Sequence, residues 1–302
     1  MNIFMGNSVK STFETIKKYR ASYGTPGVYL LVDRINGIPS AFEDALANLP
    51  SSARTPLVDA SLVKYPEKAL ELVWLTEAED EVLAYSVELA YVACQNPKYG
   101  YGHSIVAGWL FSGDPARLIV RDCLTLFDQI HANGEGVFFR AFDPRIRNTI
   151  KRISSAPLSK DMLGGALAWA YLNNDGHLLI DSSTASSKLE LDRPTWKALD
   201  RLTHLHPALM QWAESHQQYP DEGIIKHADE LVRRAIDIHH LTEAEDIKSF
   251  VSFGLDQAPT FDQQTEVLQA IQKTVKQNYS LADQFAILKP GQVPTSLAPT
   301  ES

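Results

Sequence analysis

The sequence predicts an α/β fold: a mostly parallel sheet layered with helices, followed by an all-helical C-terminal lobe. Three observations carry this. Short apolar runs alternate with amphipathic segments through the first half of the chain. Phe138 and Phe139 are neighbours in one such run, so they face opposite sides of a sheet that needs cover on both. From Asp192 onward apolar residues recur at helical spacing, with no further strand pattern.

Taken in order, Ser11 to Arg20 is an amphipathic lead-in helix. Gly27 to Asp33 is short, continuous and apolar between turn formers, which reads as a buried strand. Ser40 and Glu43 have capping-box spacing for a helix to Asn48. Pro56–Ala60 and Leu72–Leu75 are the next strands, and Thr76 with Glu79 repeats the capping box before a helix to Gln95. Asn96 to Gly102 is a turn-rich loop. Ser104–Phe111 is strand four, and Asp114-Pro115 is cap-plus-proline chemistry for a helix to Ala132. Strand five is Gly136–Phe142; Asp143-Pro144 repeats the device for a helix to Ile153. Leu163–Tyr171 reads as helical and His177–Asp181 as a last strand.

Ser182 to Ser187 is the linker candidate. The chain then divides into an α/β domain over 1–187, a helical lobe over 188–288 and a disordered tail over 289–302 rich in Pro, Ser and Thr. Within the lobe, Asp192 caps a helix that Pro207 breaks or restarts. Helices follow at 222–240, at 242–256 behind a Thr242/Glu245 capping box, and at 260–278.

The formal charge of −9 over 302 residues comes with no basic stripe, which argues against a nucleic-acid partner and is compatible with a basic protein partner. Cys94 and Cys123 sit in apolar helical patterns and read as small buried hydrophobes. No secretory pattern opens the chain and no apolar run is long enough for a bilayer, so the expectation is a cytoplasmic protein without membrane insertion.

The sharpest cluster is Arg140, Asp143 and Arg145. Arg140 closes a predicted inner strand, where an unpaired guanidinium is costly. Asp143 is its nearest partner in sequence and Asp33, at the end of strand one, is another. In one reading Asp143 caps a helix, Pro144 starts it and the arginines pair locally. In the other, an arginine offers its fork to a partner's carboxylate or to a phosphate. His204, His206, His239 and His240 lack metal-ligand spacing, and no nucleophile elbow or phosphate loop is present. Glu79 to Glu81 and Asp221-Glu222 fall in first helical turns, where they complement the helix dipole. The aromatic residues Trp74, Trp109, Phe138, Phe139 and Phe142 are core residues first. No catalytic set, metal or cofactor is expected.

The strand ending in Asp33, the Pro56-Leu57-Val58 stretch, the strand near Trp74, Gly108-Trp109-Leu110-Phe111-Ser112 and above all Phe139-Arg140-Ala141-Phe142-Asp143-Pro144-Arg145 carry a resemblance. Together they are similar to the effector-adaptor chaperones of bacterial type VI secretion systems, whose α/β domain closes with F-R-aromatic-aromatic-D-P-R and often precedes a helical region. The resemblance covers residues 27–155, with Ala141 standing where the family has an aromatic residue. Gly254-Leu255 and Phe261-Asp262 punctuate the last helices in the style of that family's C-terminal lobes. It implies a non-enzymatic adaptor that binds a cognate toxic effector and helps load it onto the spike-tip protein. Asp33, Trp109, Phe139, Arg140, Asp143, Pro144 and Arg145 would be its signature residues, structural or partner-binding.

Two other readings stand beside it. One is an enzyme or nucleotide-binding protein using Asp33, Arg140 and Asp143 at the C-terminal edge of the sheet. The other is an immunity protein that blocks a toxin, for which this chain is large.

Overall fold

The computed structural model describes residues 6–35, 37–58, 64–95, 104–153, 160–173, 175–182, 191–218, 220–277 and 279–288. The turn-rich loop 96–102, most of the Ser-rich linker candidate and the tail 289–302 lie outside them. Two compact units divide between Leu199 and Asp200.

The first unit is built on a six-stranded sheet. Its strands are β1 (Val28–Val32), β2 (Arg54–Leu57), β3 (Leu70–Leu75), β4 (Val106–Phe111), β7 (Ala168–Leu172) and β8 (Leu178–Ser182), in the order β2-β3-β1-β4-β7-β8. Every pairing is antiparallel. The expected parallel sheet is therefore overturned.

The reason lies in which strands become neighbours. Helix α2 (Ser40–Ala47) joins β1 to β2, and α3 (Asp80–Gln95) joins β3 to β4. Both crossovers connect strands that run the same way, as the alternating sequence pattern implied. Each skips one position, however: β3 fills the gap between β1 and β2, and β1 the gap between β3 and β4. This is the split β-α-β arrangement of ferredoxin-like folds, here extended by the β7–β8 hairpin. Alternation in sequence gives the direction of a crossover but not the identity of the strand beside it.

The sheet is covered on both sides, as Phe138 and Phe139 had led one to expect of a sheet, although neither residue belongs to it. One side packs on α1 (Asn7–Ser22), α2 and α3 through Ile16, Phe42, Leu46, Leu83 and Val87 against Leu30, Val73, Trp109 and Phe111. Each large apolar side chain fully buried here contributes roughly 1.5–3 kcal/mol. Helix α4 (Ala116–Phe127), with Ile119 and Cys123 fully buried, contacts β2 and β3. A register shift falls between Leu31 and Val32, opposite Gly108, whose φ is +147°. A Cβ on Gly108 would stand 2.4 Å from Trp169 Nε1 and 2.5 Å from the Ala170 carbonyl, so only glycine fits.

Local capping divides the expectations. Thr76 and Glu79 do form a reciprocal capping box, with the Thr76 N–H donating to Glu79 at 2.8 Å. Ser40 makes no cap; Pro39 holds the cap position and Glu43 turns to Arg34 and Arg54. Helix α4 starts behind Pro115 with no side-chain cap and ends at Phe127, because the chain then enters a hairpin of β5 (Asp128–Ile130) and β6 (Gly136–Phe138). The expected strand Gly136–Phe142 is thus cut to three residues, in a separate sheet. Phe139, Ala141 and Phe142 are buried from a turn, which mimics a strand's apolar run. Leu163–Tyr171 is not a helix. Gly164 and Gly165 both take positive φ after a short 3-10 turn, and Ala168 onward is strand β7. The last strand is found at β8.

Helix α5 (Pro144–Ile153) follows the turn, and α6 (Arg193–His216) crosses the unit boundary. Asp192 caps α6, accepting the Thr195 N–H at 2.9 Å. Pro207 does not break it: Leu205, Ala208, Leu209 and Ala213 are buried along one face, and that packing outweighs the missing backbone bond. The second unit continues with α7 (Glu222–Asp237), α8 (Ala244–Leu255), α9 (Thr265–Gln277) and α10 (Leu281–Ile287). The Thr242/Glu245 box is absent, Glu243 standing at the cap without a side-chain bond. No described helix is long and apolar enough to cross a membrane.

Candidate functional site

The signature segment begins where β6 ends. The Phe139 N–H donates to the Phe127 carbonyl at 2.6 Å, and the Asp143 N–H donates to the Arg140 carbonyl at 2.9 Å, so the chain reverses tightly. Asp143 then caps α5: its Oδ1 accepts the Arg145 N–H at 2.9 Å while its carbonyl accepts the Arg147 N–H at 3.1 Å. Pro144 takes the first helical position, where its missing N–H costs nothing.

The arginines pair within the fold. Arg145 grips Asp143 bidentately, Nε lying 2.9 Å from Oδ1 and Nη2 meeting Oδ2. Burial works against the Arg145 charge, but Asp143 and then Asp33 outweigh it and hold the guanidinium pKa above its usual value. Arg140 passes over its sequence neighbour and donates from Nη2 to Asp33 Oδ2 at 2.9 Å. Asp33 also accepts the Ile35 N–H at 3.1 Å, and its own N–H donates to the Ile105 carbonyl at 2.8 Å. The Arg140 guanidinium stands 5.0 Å from the centre of the Phe142 ring. Asp33, Arg140, Asp143, Pro144 and Arg145 therefore meet at one corner. The two arginine and two aspartate charges cancel. Of the two arginines only Arg140 presents much surface, with 35% of its side chain exposed against 12% for Arg145.

Trp109 and Phe139 serve the core. Trp109 is buried in β4 and donates from Nε1 to Ser86 Oγ at 3.0 Å. Phe139 is buried with its ring 5.8 Å from Trp196.

Arg147 is far more deeply buried than Arg140, and sequence reasoning missed it. Its side chain is fully buried. It donates to Asp181 Oδ2 from Nε at 3.1 Å and Nη2 at 2.9 Å, to the Ala141 carbonyl at 3.1 Å and to the Met162 carbonyl at 3.0 Å. The guanidinium lies 4.2 Å from the Trp169 ring centre, and Lys151 pairs with the other Asp181 oxygen. One side chain thus ties α5 to β8, to the signature turn and to the 3-10 turn before β7. The signal was helical periodicity: Arg147 lies on one face with Asp143, Pro144 and Ile150, all buried.

Beside the corner, the β5–β6 hairpin exposes apolar side chains. Asp128 faces Phe138 and Ile130 faces Gly136 across the ribbon, so Ile130 and Phe138 share one face. Ile130 is 66% exposed and Phe138 37%. The ribbon is anchored by Phe127, 5.7 Å from Phe138, and by Trp196, 4.8 Å from His131.

Several other candidates for chemistry are engaged within the fold. Burial pushes the thiols of Cys94 and Cys123 up to about 12, which leaves negligible thiolate at neutral pH. His239 meets Asp262 at 2.8 Å, and Asp262 also accepts from Arg234 Nε at 2.9 Å, which ties the end of α7 to the turn before α9. Among the described residues no three His, Cys, Asp or Glu side chains form a metal-binding group. The expectation of a ligand site at the C-terminal edge of the sheet rested on parallel neighbouring strands, and every neighbouring pair in this sheet is antiparallel. Comparison of the chain with protein-family models, with curated proteins and with solved structures finds no match.

Proposed function

We propose that this chain is a non-catalytic cytoplasmic adaptor that binds a cognate toxic effector and helps load it onto the spike-tip protein of a type VI secretion system. The reading rests on the resemblance of residues 27–155 to the effector-adaptor chaperones. The observation that carries it is the ribbon face on which exposed Ile130 and Phe138 stand with Asp128, and which runs directly into the signature corner at Arg140. A two-stranded ribbon is marginal alone, and exposed apolar side chains on it favour a protein contact. The self-neutralised corner fits the same reading: it fixes the base of the ribbon and leaves Arg140 at its edge. A contact of this kind works by an apolar centre with a few charged anchors.

Secretion by the native host tests it. Deleting the gene should stop release of one toxin while the apparatus still releases its other cargo, and the Ile130→Asp chain should accumulate without restoring release. Unchanged release of every toxin in the deletion strain contradicts the reading.

A further inference from the structure

A groove of about 570 Å³ lies between α2 and the start of α3. Helix α2 turns Ala41, Asp44, Ala45 and Asn48 toward it, which is one helical face at i, i+3, i+4 and i+7. The opposite wall repeats that spacing with Ala78, Glu81, Val82 and Tyr85. Alanines on both walls allow a third backbone to come close, while Val82 and Tyr85 add apolar surface to one of them.

The lining is acidic, with Asp44, Glu79 and Glu81 and no Lys, Arg or His. Glu79 is engaged by the Thr76 cap. Asp44 is different. It stands in the last turn of α2, at the negative end of the helix dipole, and no basic residue shares that turn. Neither Asp44 nor Glu81 has an ion-pair partner among the described residues. Both carboxylates are exposed at the rim of the groove, where their charge is open to a partner.

We propose that this groove binds an amphipathic, cationic helix of a partner protein. The small or apolar face of that helix seats between α2 and α3, and its Lys or Arg side chains meet Asp44 and Glu81. Helix-in-groove binding supplies the apolar contact and the acidic rim supplies register and sign. No residue of the signature corner lines the groove, so the inference goes beyond the adaptor reading and stands whether or not that reading holds.

The test is fluorescence anisotropy with a set of labelled synthetic amphipathic helices that carry lysines beside different Ala–Leu faces. Their glutamate counterparts and proline-broken lysine peptides serve as controls. At least one intact lysine helix should bind, more weakly as salt rises, and both controls should fail. Asp44→Lys combined with Glu81→Gln should weaken binding about tenfold. Asp44→Lys alone should raise the thermal midpoint of the free chain while lowering affinity, a pairing that a purely structural role for Asp44 does not produce. Ala45→Trp, which fills the groove without a charge change, should abolish binding. The proposal is overturned if no lysine helix binds, if the broken peptides bind as well as the intact ones, or if binding survives both the charge change and Ala45→Trp in folded protein.

Discussion

Arg147 donates twice to Asp181 with both side chains almost wholly removed from solvent, and its two remaining bonds go to the carbonyls of Ala141 and Met162. The signature turn, helix α5, the 3-10 turn and the edge strand β8 are therefore held at one guanidinium. Arg147→Ala leaves Asp181 buried with only Lys151 to neutralise it. The expected loss is about 3–5 kcal/mol of stability by urea denaturation, and Arg147→Met with Asp181→Leu should recover much of it. A loss within about 0.5 kcal/mol would show that the buried pair is not a structural centre.

Arg140 is a milder case. Its partner Asp33 is buried, but the arginine is 35% exposed and Asp33 keeps the Ile35 N–H. Arg140→Ala should cost about 1–2 kcal/mol, clearly less than Arg147→Ala. That ranking is the check, and with it goes the expectation that the loss is in folding more than in binding. An Arg140→Ala chain of unchanged stability that no longer binds its partner would assign Arg140 to recognition instead.

Two caps that look alike in sequence should respond differently. Thr76→Ala removes a reciprocal capping box and should cost about 1 kcal/mol. Ser40→Ala removes nothing, since Ser40 is already inside α2 and makes no cap bond, and should change stability by less than about 0.5 kcal/mol. Paired denaturation curves decide it, and equal losses contradict the assignment.

The pH dependence has a defined sign at His204. Burial lowers its pKa below the ordinary 6.5, and its Nδ1 has no hydrogen-bond partner among the described residues. The unfolded chain therefore takes up a proton first as pH falls. The stability contributed by neutral His204 is present above 6.5 and is lost as pH drops from there toward the folded-state pKa. Replacing His204 with Leu should flatten that part of the thermal-midpoint profile. An identical acid limb in the variant would remove His204 from the account.

These predictions also mark what the sequence made legible. The runs at β1, β3 and β4 were readable because they are short, continuous and flanked by turn residues. The Asp143-Pro144 and Asp192 caps were readable because cap chemistry is local. The antiparallel sheet was not, because β3 enters between β1 and β2 through hydrogen bonds that no local pattern encodes. The strand expected at Gly136–Phe142 failed because a buried turn and a buried strand bury the same residue types. At the corner, Asp33 was one of two partners considered for Arg140, and the structure selects it over the nearer Asp143. Arg147 escaped notice because a charged residue on an apolar helical face reads as an interruption until Asp181 is found opposite it.

The central claim is the adaptor role. Affinity purification of the tagged chain from its native host, followed by mass spectrometry, tests it most directly, with a folded Ile130→Asp, Phe138→Ser variant beside it. The account predicts recovery of one toxic effector together with a spike-tip protein by the unaltered chain, and loss of the effector with the variant. Recovery of neither protein would contradict it.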